Sequence, residues 1–155
     1  MRSRAKLALI AALIVPSLLA VACSEKSSPT NPAPTQINVT GRWGTDITVQ
    51  GISTRMTWTL TQTGTAVTGP VLVGLSNGVI LLNGFLTGTM AGPSLTYTIT
   101  VGPGGVPNQP ACTGQLGGTM TVTISTVSTM VGPMSLLTSN CSLQLPSATM
   151  TLTKQ

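Results

Sequence analysis

The residues able to do covalent or acid–base chemistry in this sequence are few: cysteines at Cys23, Cys112 and Cys141, a scattering of hydroxyls, and no histidine. Without imidazole, the usual general base and the commonest metal ligand are both missing. From Ile37 onward the one side-chain carboxylate is Asp46, so a two-carboxylate hydrolysis fails on inventory, as does a Ser-His-Asp relay. Serines and threonines abound, but a hydroxyl with no activating base is a weak nucleophile, and Lys154 stands alone beside the C-terminus. One carboxylate and a cysteine pair expected to be oxidised supply no adequate ligand set for a metal. The glycine-rich stretches lack the spacing of a P-loop or a dinucleotide fingerprint and read as turns. The expectation is a protein that is not an enzyme and holds no cofactor.

What remains is the chemistry of the thiols. Cys23 ends the stretch Leu19-Ala20-Val21-Ala22-Cys23, which closes an apolar run from Leu7 to Ala22 that follows Arg2, Arg4 and Lys6. Cations followed by 16 apolar or small residues, interrupted by Pro16, form the n-region and h-region of a secretory signal and are short for a bilayer span. The stretch resembles a bacterial lipobox, with Ala20 where leucine is commonest. The resemblance implies cleavage before Cys23, whose thiol already carries a diacylglyceryl group, so that residues 1–22 are a signal helix. Two or three acyl chains hold a protein stably where a single chain does not, and membrane lipid, through acylated Cys23, is the first expected partner. Ser24, unlike an aspartate, implies passage to the outer membrane where the organism has one. The expected location is the cell envelope, with the protein held as a membrane-anchored lipoprotein.

Assigning Cys23 to lipid leaves Cys112 and Cys141 as an even pair in an oxidising compartment, where a disulfide is expected and two buried free thiols are the alternative. The formal charge is +5, but Arg2, Arg4 and Lys6 belong to the cleaved segment. From Cys23 onward four cations (Lys26, Arg42, Arg55, Lys154) stand against two anions (Glu25, Asp46), a net of +2. No basic patch survives, and a nucleic-acid partner is not expected. After Cys23, the stretch from Ser24 to Gln36 carries three prolines and no large apolar residue; residues 23–36 therefore read as the lipidated cysteine and a flexible tether.

Residues 37–155 must supply whatever positions a site. Apolar residues alternate there with threonine and serine, and no 3.6-residue pattern persists, so the domain is all-β. Ile37, Val39, Trp43, Ile47 and Val49 share one parity, and Ile52, Met56, Trp58 and Leu60 share the other beyond Gln50-Gly51. A two-residue turn there pairs Val49 with Ile52, Ile47 with Thr54, Asp46 with Arg55 and Trp43 with Trp58, which puts an ion pair on the solvent face and both tryptophans on the core face. A turn at Thr63-Gly64 sets Leu60 against Val67 and Trp58 against Gly69. Asn77-Gly78 reads as a type I′ turn that sets Val71 against Gly84 and Gly69 against Leu86. Gly92-Pro93 brings Gly88 to Tyr97 and Leu86 to Ile99. Beyond a loop from Gly102 to Ala111, further strands are expected at Cys112 to Ile124, Val127 to Met134 and Ala148 to Thr153. About eight antiparallel strands in sequential order suit a small up-and-down barrel. Pro70 and Pro133 fall inside strand-like runs and argue against closure, with a β-sandwich as the alternative.

Gly41-Arg42-Trp43 resembles the Gly-x-Trp of lipocalins and related calycin barrels, avidin-like ones included. The arginine that packs over that tryptophan in lipocalins has no clear counterpart, only Lys154 lying near the chain's end. A membrane-spanning barrel is set aside, because two Trp, one Tyr and one Phe cannot build two interfacial girdles. Two functions remain. One is a non-catalytic envelope interaction or structural module whose core is filled by its own side chains and which meets an envelope protein through its loops. The other is a lipocalin-like carrier of a small apolar ligand, with Trp43, Met56, Trp58 and Tyr97 near the cavity. An eight-strand barrel is just wide enough to pack itself, and this favours the first.

Overall fold

Alternating apolar residues and threonines build eight antiparallel strands in the computed structural model, which describes residues 37–142 and 147–155. They are β1 (Gly41–Val49), β2 (Ile52–Thr63), β3 (Ala66–Gly74), β4 (Ile80–Ala91), β5 (Ser94–Val101), β6 (Gly114–Thr123), β7 (Thr129–Ser139) and β8 (Ala148–Lys154). Each pairs with the next, and β8 returns to β1 to close a barrel. The expected signal at 1–22 and the expected lipidated cysteine and tether at 23–36, with Cys23 and Ser24, lie outside the described residues.

Period-two alternation sends one side chain of each neighbouring pair inward, giving a continuous core of Val, Leu and Ile around Trp43, Trp58 and Tyr97. Met56, Met90, Met120, Met130, Met134 and Met150 fill much of it; unbranched thioethers suit the irregular gaps left where strands curve. Threonines cover much of the outside, where a β-branched polar residue fits a pleated, wet surface.

The first hairpin has the expected register throughout, from Val49↔Ile52 through Asp46↔Arg55 to Trp43↔Trp58. Gln50 (φ 50°) and Gly51 (φ 79°) both take the left-handed conformation, as a type I′ turn requires. Ile52, expected inward, is 54% exposed at the turn end of β2, although its partner Val49 is buried. Arg55 Nη1 donates to Asp46 Oδ1 at 3.0 Å with both side chains at least half exposed. Water screening at such a site leaves the pair worth little, and Asp46→Asn should change stability by less than about 1 kcal/mol in urea unfolding. A loss of about 2 kcal/mol or more would mean the pair does something its exposure does not permit.

Two turns differ from expectation. The second hairpin turns at Gly64-Thr65, pairing Thr63 with Ala66, Gln62 with Val67 and Trp58 with Val71. Gly64 takes φ +60° at the first loop position, and Gln62 Nε2 anchors the turn by donating to the carbonyls of Gly64 (2.9 Å) and Ile37 (3.0 Å). A slip of two residues keeps the facing of every side chain, so the inward set survives although Trp58 meets Val71 rather than Gly69. At the third hairpin, Gly78 N donates to Leu75 O (3.0 Å) and Leu75 N to Val79 O (2.8 Å), with Gly78 at φ +87°. The loop is thus one residue longer than a type I′ turn and Asn77 keeps a negative φ. A bulge between Val73 and Gly74 takes up the extra residue, so Val71↔Gly84 and Gly69↔Leu86 stand as expected. Gly88↔Tyr97 and Leu86↔Ile99 also stand.

The barrel closes with both prolines inside strands. Between β2 and β3 the ladder jumps from Trp58↔Val71 to Thr61↔Thr68 across Gly69-Pro70, where Pro70 has no N–H to give. Between β6 and β7 it jumps from Gly117↔Ser135 to Thr121↔Val131 across Gly132-Pro133. At each jump the glycine admits a neighbouring backbone: a Cβ on Gly69 would collide with the Thr59 carbonyl, and one on Gly132 with that of Thr119. Both prolines keep partners on their other side, Phe85 and Thr149. The register is the same on both sides of each gap, so the sheet accepts a residue with no N–H without slipping.

Strand directions sort the connections into two ends. The chain enters at Ile37, beside the turns at Gly64-Thr65 and Gly92-Pro93. The far end holds Gln50-Gly51, the long connection from Gly102 to Thr113, and the one that follows β7.

Candidate functional site

Three of the four residues expected near a cavity are brought together inside the barrel. Trp43 and Trp58 are cross-strand partners, and the rings of Trp58 and Tyr97 lie 4.9 Å apart, tilted by 59°, within the range of favourable aromatic pairs. Met56 lies two residues from Trp58 on the same strand face and pairs with Thr45 and Val73. All four are buried among core side chains. Trp43 Nε1 donates to the Val39 carbonyl at 2.8 Å, tying the entry segment over the barrel mouth. Lys154 Nζ stands 5.5 Å from the centre of the Trp43 ring, so the cation over this tryptophan, for which the sequence offered no clear counterpart, comes from the last strand. The Tyr97 hydroxyl donates to the Pro133 carbonyl at 3.1 Å, and burial raises its pKa above the ordinary phenol value by penalising the phenolate. Trp58 Nε1 is buried with no hydrogen-bond partner among the described residues.

The far end is tied together. Cys112 and Cys141 form a disulfide with Cα atoms 4.8 Å apart. Around it Thr113 N donates to Asn140 Oδ1 (2.7 Å), Asn140 N to Thr113 O (3.1 Å) and Ser142 N to Gln109 Oε1 (2.8 Å). Beneath the bridge a pocket of about 20 Å³, lined by Leu82, Val101, Val106, Leu116, Leu136 and Cys141 among others, is near the size of one water. Beside it an open groove of about 540 Å³ runs past Val101, Pro103, Thr113 and Asn140. Another, of about 350 Å³, runs past Pro70, Phe85 and the Gly102-Pro103-Gly104-Gly105 turn. Phe85, the one phenylalanine of the chain, is 50% exposed there.

The third feature is one that sequence reasoning missed. β1 and β8 pair only at Trp43↔Lys154 and Gly44↔Thr153. Toward the far end the seam carries no further ladder, and a groove of about 320 Å³ opens between Asp46 and Thr48 on one side and Thr149 and Thr151 on the other, with Ile47, Met134 and Met150 also lining it.

The arrangement can present surfaces and can pair backbone; it offers no cluster of three metal-binding His, Cys, Asp or Glu residues among the described ones. No family model, no curated protein and no solved structure matches the chain.

Proposed function

We propose that this chain is a lipid-anchored extracytoplasmic barrel that acts as a non-catalytic interaction module of the cell envelope, held to membrane lipid by acylated Cys23 and meeting an envelope protein at its far end. The observation that carries the reading is the division of labour between the two ends. The chain enters at one end, 14 residues after Cys23, a stretch that reaches at most about 50 Å when extended. The other end, opposite Ile37, bears the long connections, the disulfide and the open grooves. Loops set on a rigid scaffold are where binding residues concentrate.

A lipocalin-like carrier is the second reading. Lys154 over Trp43 favours it, as does the unpartnered Trp58 N–H, a buried donor in an apolar, methionine-rich interior. Native and intact mass spectrometry of the protein purified from its own host separates the two. The expected result is a chain that begins at Cys23, carries the mass of a diacylglyceryl group, and holds no small molecule. A different first residue or a free Cys23 thiol overturns the anchor. A stoichiometric co-purifying apolar molecule replaces the packed module with the carrier.

A further inference from the structure

We infer that the open part of the β1–β8 seam is a docking groove for an extended segment of a partner polypeptide, which names the partner chemistry of the interaction module and rests on that reading. The pair Val49↔Ile52 flanks a two-residue turn, so the backbone groups of Val49, Ile47 and Thr45 point to β2 and those of Asp46 and Thr48 point to the seam. Where the seam is still closed, Gln155 N donates to Arg42 O at 2.9 Å, which has the same parity. On β8, Lys154 N donates to Ser128 O at 3.0 Å, away from the seam, so Thr149 and Thr151 face the seam. Two strand edges thus border one groove with backbone donors and acceptors that have no ladder partner among the described residues.

A row of amides and carbonyls at strand spacing is matched by another extended backbone, and pockets for alternate side chains then set preference. Here the buried Met134 and Met150 and half-buried Ile47 lie inward, and the exposed Asp46, Thr48, Thr149 and Thr151 lie outward. The groove therefore suits a segment of about five residues with apolar side chains at alternate positions, and no proline where pairing occurs. A folded second copy offers no strand edge outside this same seam, because its other edges are taken up by barrel closure. The partner is a chain with an unpaired extended segment.

The test uses a fluorescein-labelled, N-acetylated peptide with the sequence of Ala148–Lys154, which already pairs with β1 at two positions. It is titrated against the full-length protein in nonionic detergent and followed by anisotropy. Saturable binding is expected, and Thr48→Pro should weaken it at least tenfold; the Thr48 amide faces the seam, so the β1–β2 ladder loses nothing. A peptide N-methylated at alternate residues should fail to bind the unaltered protein, a comparison that needs no variant to fold. Equal binding of the N-methylated peptide, or no binding of the parent peptide, overturns the proposal. A concentration-dependent dimer that Thr48→Pro abolishes, without peptide binding, gives the groove to a second copy and also overturns it. None of these outcomes bears on the mass of the mature Cys23 terminus, so loss of the groove and loss of the anchor remain distinguishable.

Discussion

Trp43→Ala should cost about 3 to 5 kcal/mol of unfolding free energy, the range for truncating a large buried aromatic in a core that cannot fully collapse. Trp43 is completely buried, sits opposite Trp58, carries Lys154 over its ring, and holds the Val39 carbonyl with its indole N–H. Removing it empties the entry end and releases the segment that covers it. A finer comparison separates volume from hydrogen bonding. Trp43→Phe leaves the Val39 carbonyl without its donor, whereas Trp58→Phe removes an N–H that has no partner among the described residues. Stranding a buried polar group costs about 1 to 3 kcal/mol, so Trp43→Phe should be the more destabilising of the two by about 1 kcal/mol or more. Urea unfolding followed by circular dichroism measures both, with unchanged m-values confirming that the end states are comparable. Equal losses in the two phenylalanine variants would show that the Trp43 hydrogen bond contributes nothing net.

The parts of this barrel that could be read in advance are those fixed by short-range geometry. At Gln50-Gly51 the two-residue loop allows one register, and that register matches Asp46 to Arg55 and Trp43 to Trp58 together. At Thr63-Gly64-Thr65 the glycine suits either loop position, and the two choices differ by a slip of two that leaves all faces intact; alternation therefore specifies facing but not register. At Asn77-Gly78 a longer loop and a bulge compensate each other, so the right pairing arises from a different turn. Pro70 and Pro133 were misleading because each falls at a short gap in one ladder while keeping a partner in the other, where its missing N–H costs no pairing. The seam was illegible for a separate reason: β1 and β8 are joined by no turn, so no local rule sets where their pairing stops. Lys154 over Trp43 depends on that same non-local closure.

Reducing the Cys112–Cys141 disulfide, or replacing both cysteines with alanine, should lower stability by about 3 to 4 kcal/mol on the loop-entropy account. The bridge spans 29 residues of sequence and encloses β6 and β7, so in the unfolded chain it restrains a long loop that non-covalent contacts no longer hold. For a domain of this size the loss corresponds to a melting temperature lower by about 10 to 15 °C. The native state should change little, because Thr113, Asn140, Ser142 and Gln109 hold the same two connections by hydrogen bonds that do not involve sulfur. Hydrogen exchange can therefore place the effect. If the bridge acts on the unfolded chain, strand amides throughout the barrel that exchange by global opening should lose protection by a common factor, while local opening near Thr113 and Asn140 stays as it was. If it acts as a native clamp, protection should fall first at those two residues, at Leu116, and around Val106, which packs against the same pocket. A melting temperature unchanged on reduction would remove the bridge from the stability of the fold altogether and leave it as a fastener of the far-end surface alone.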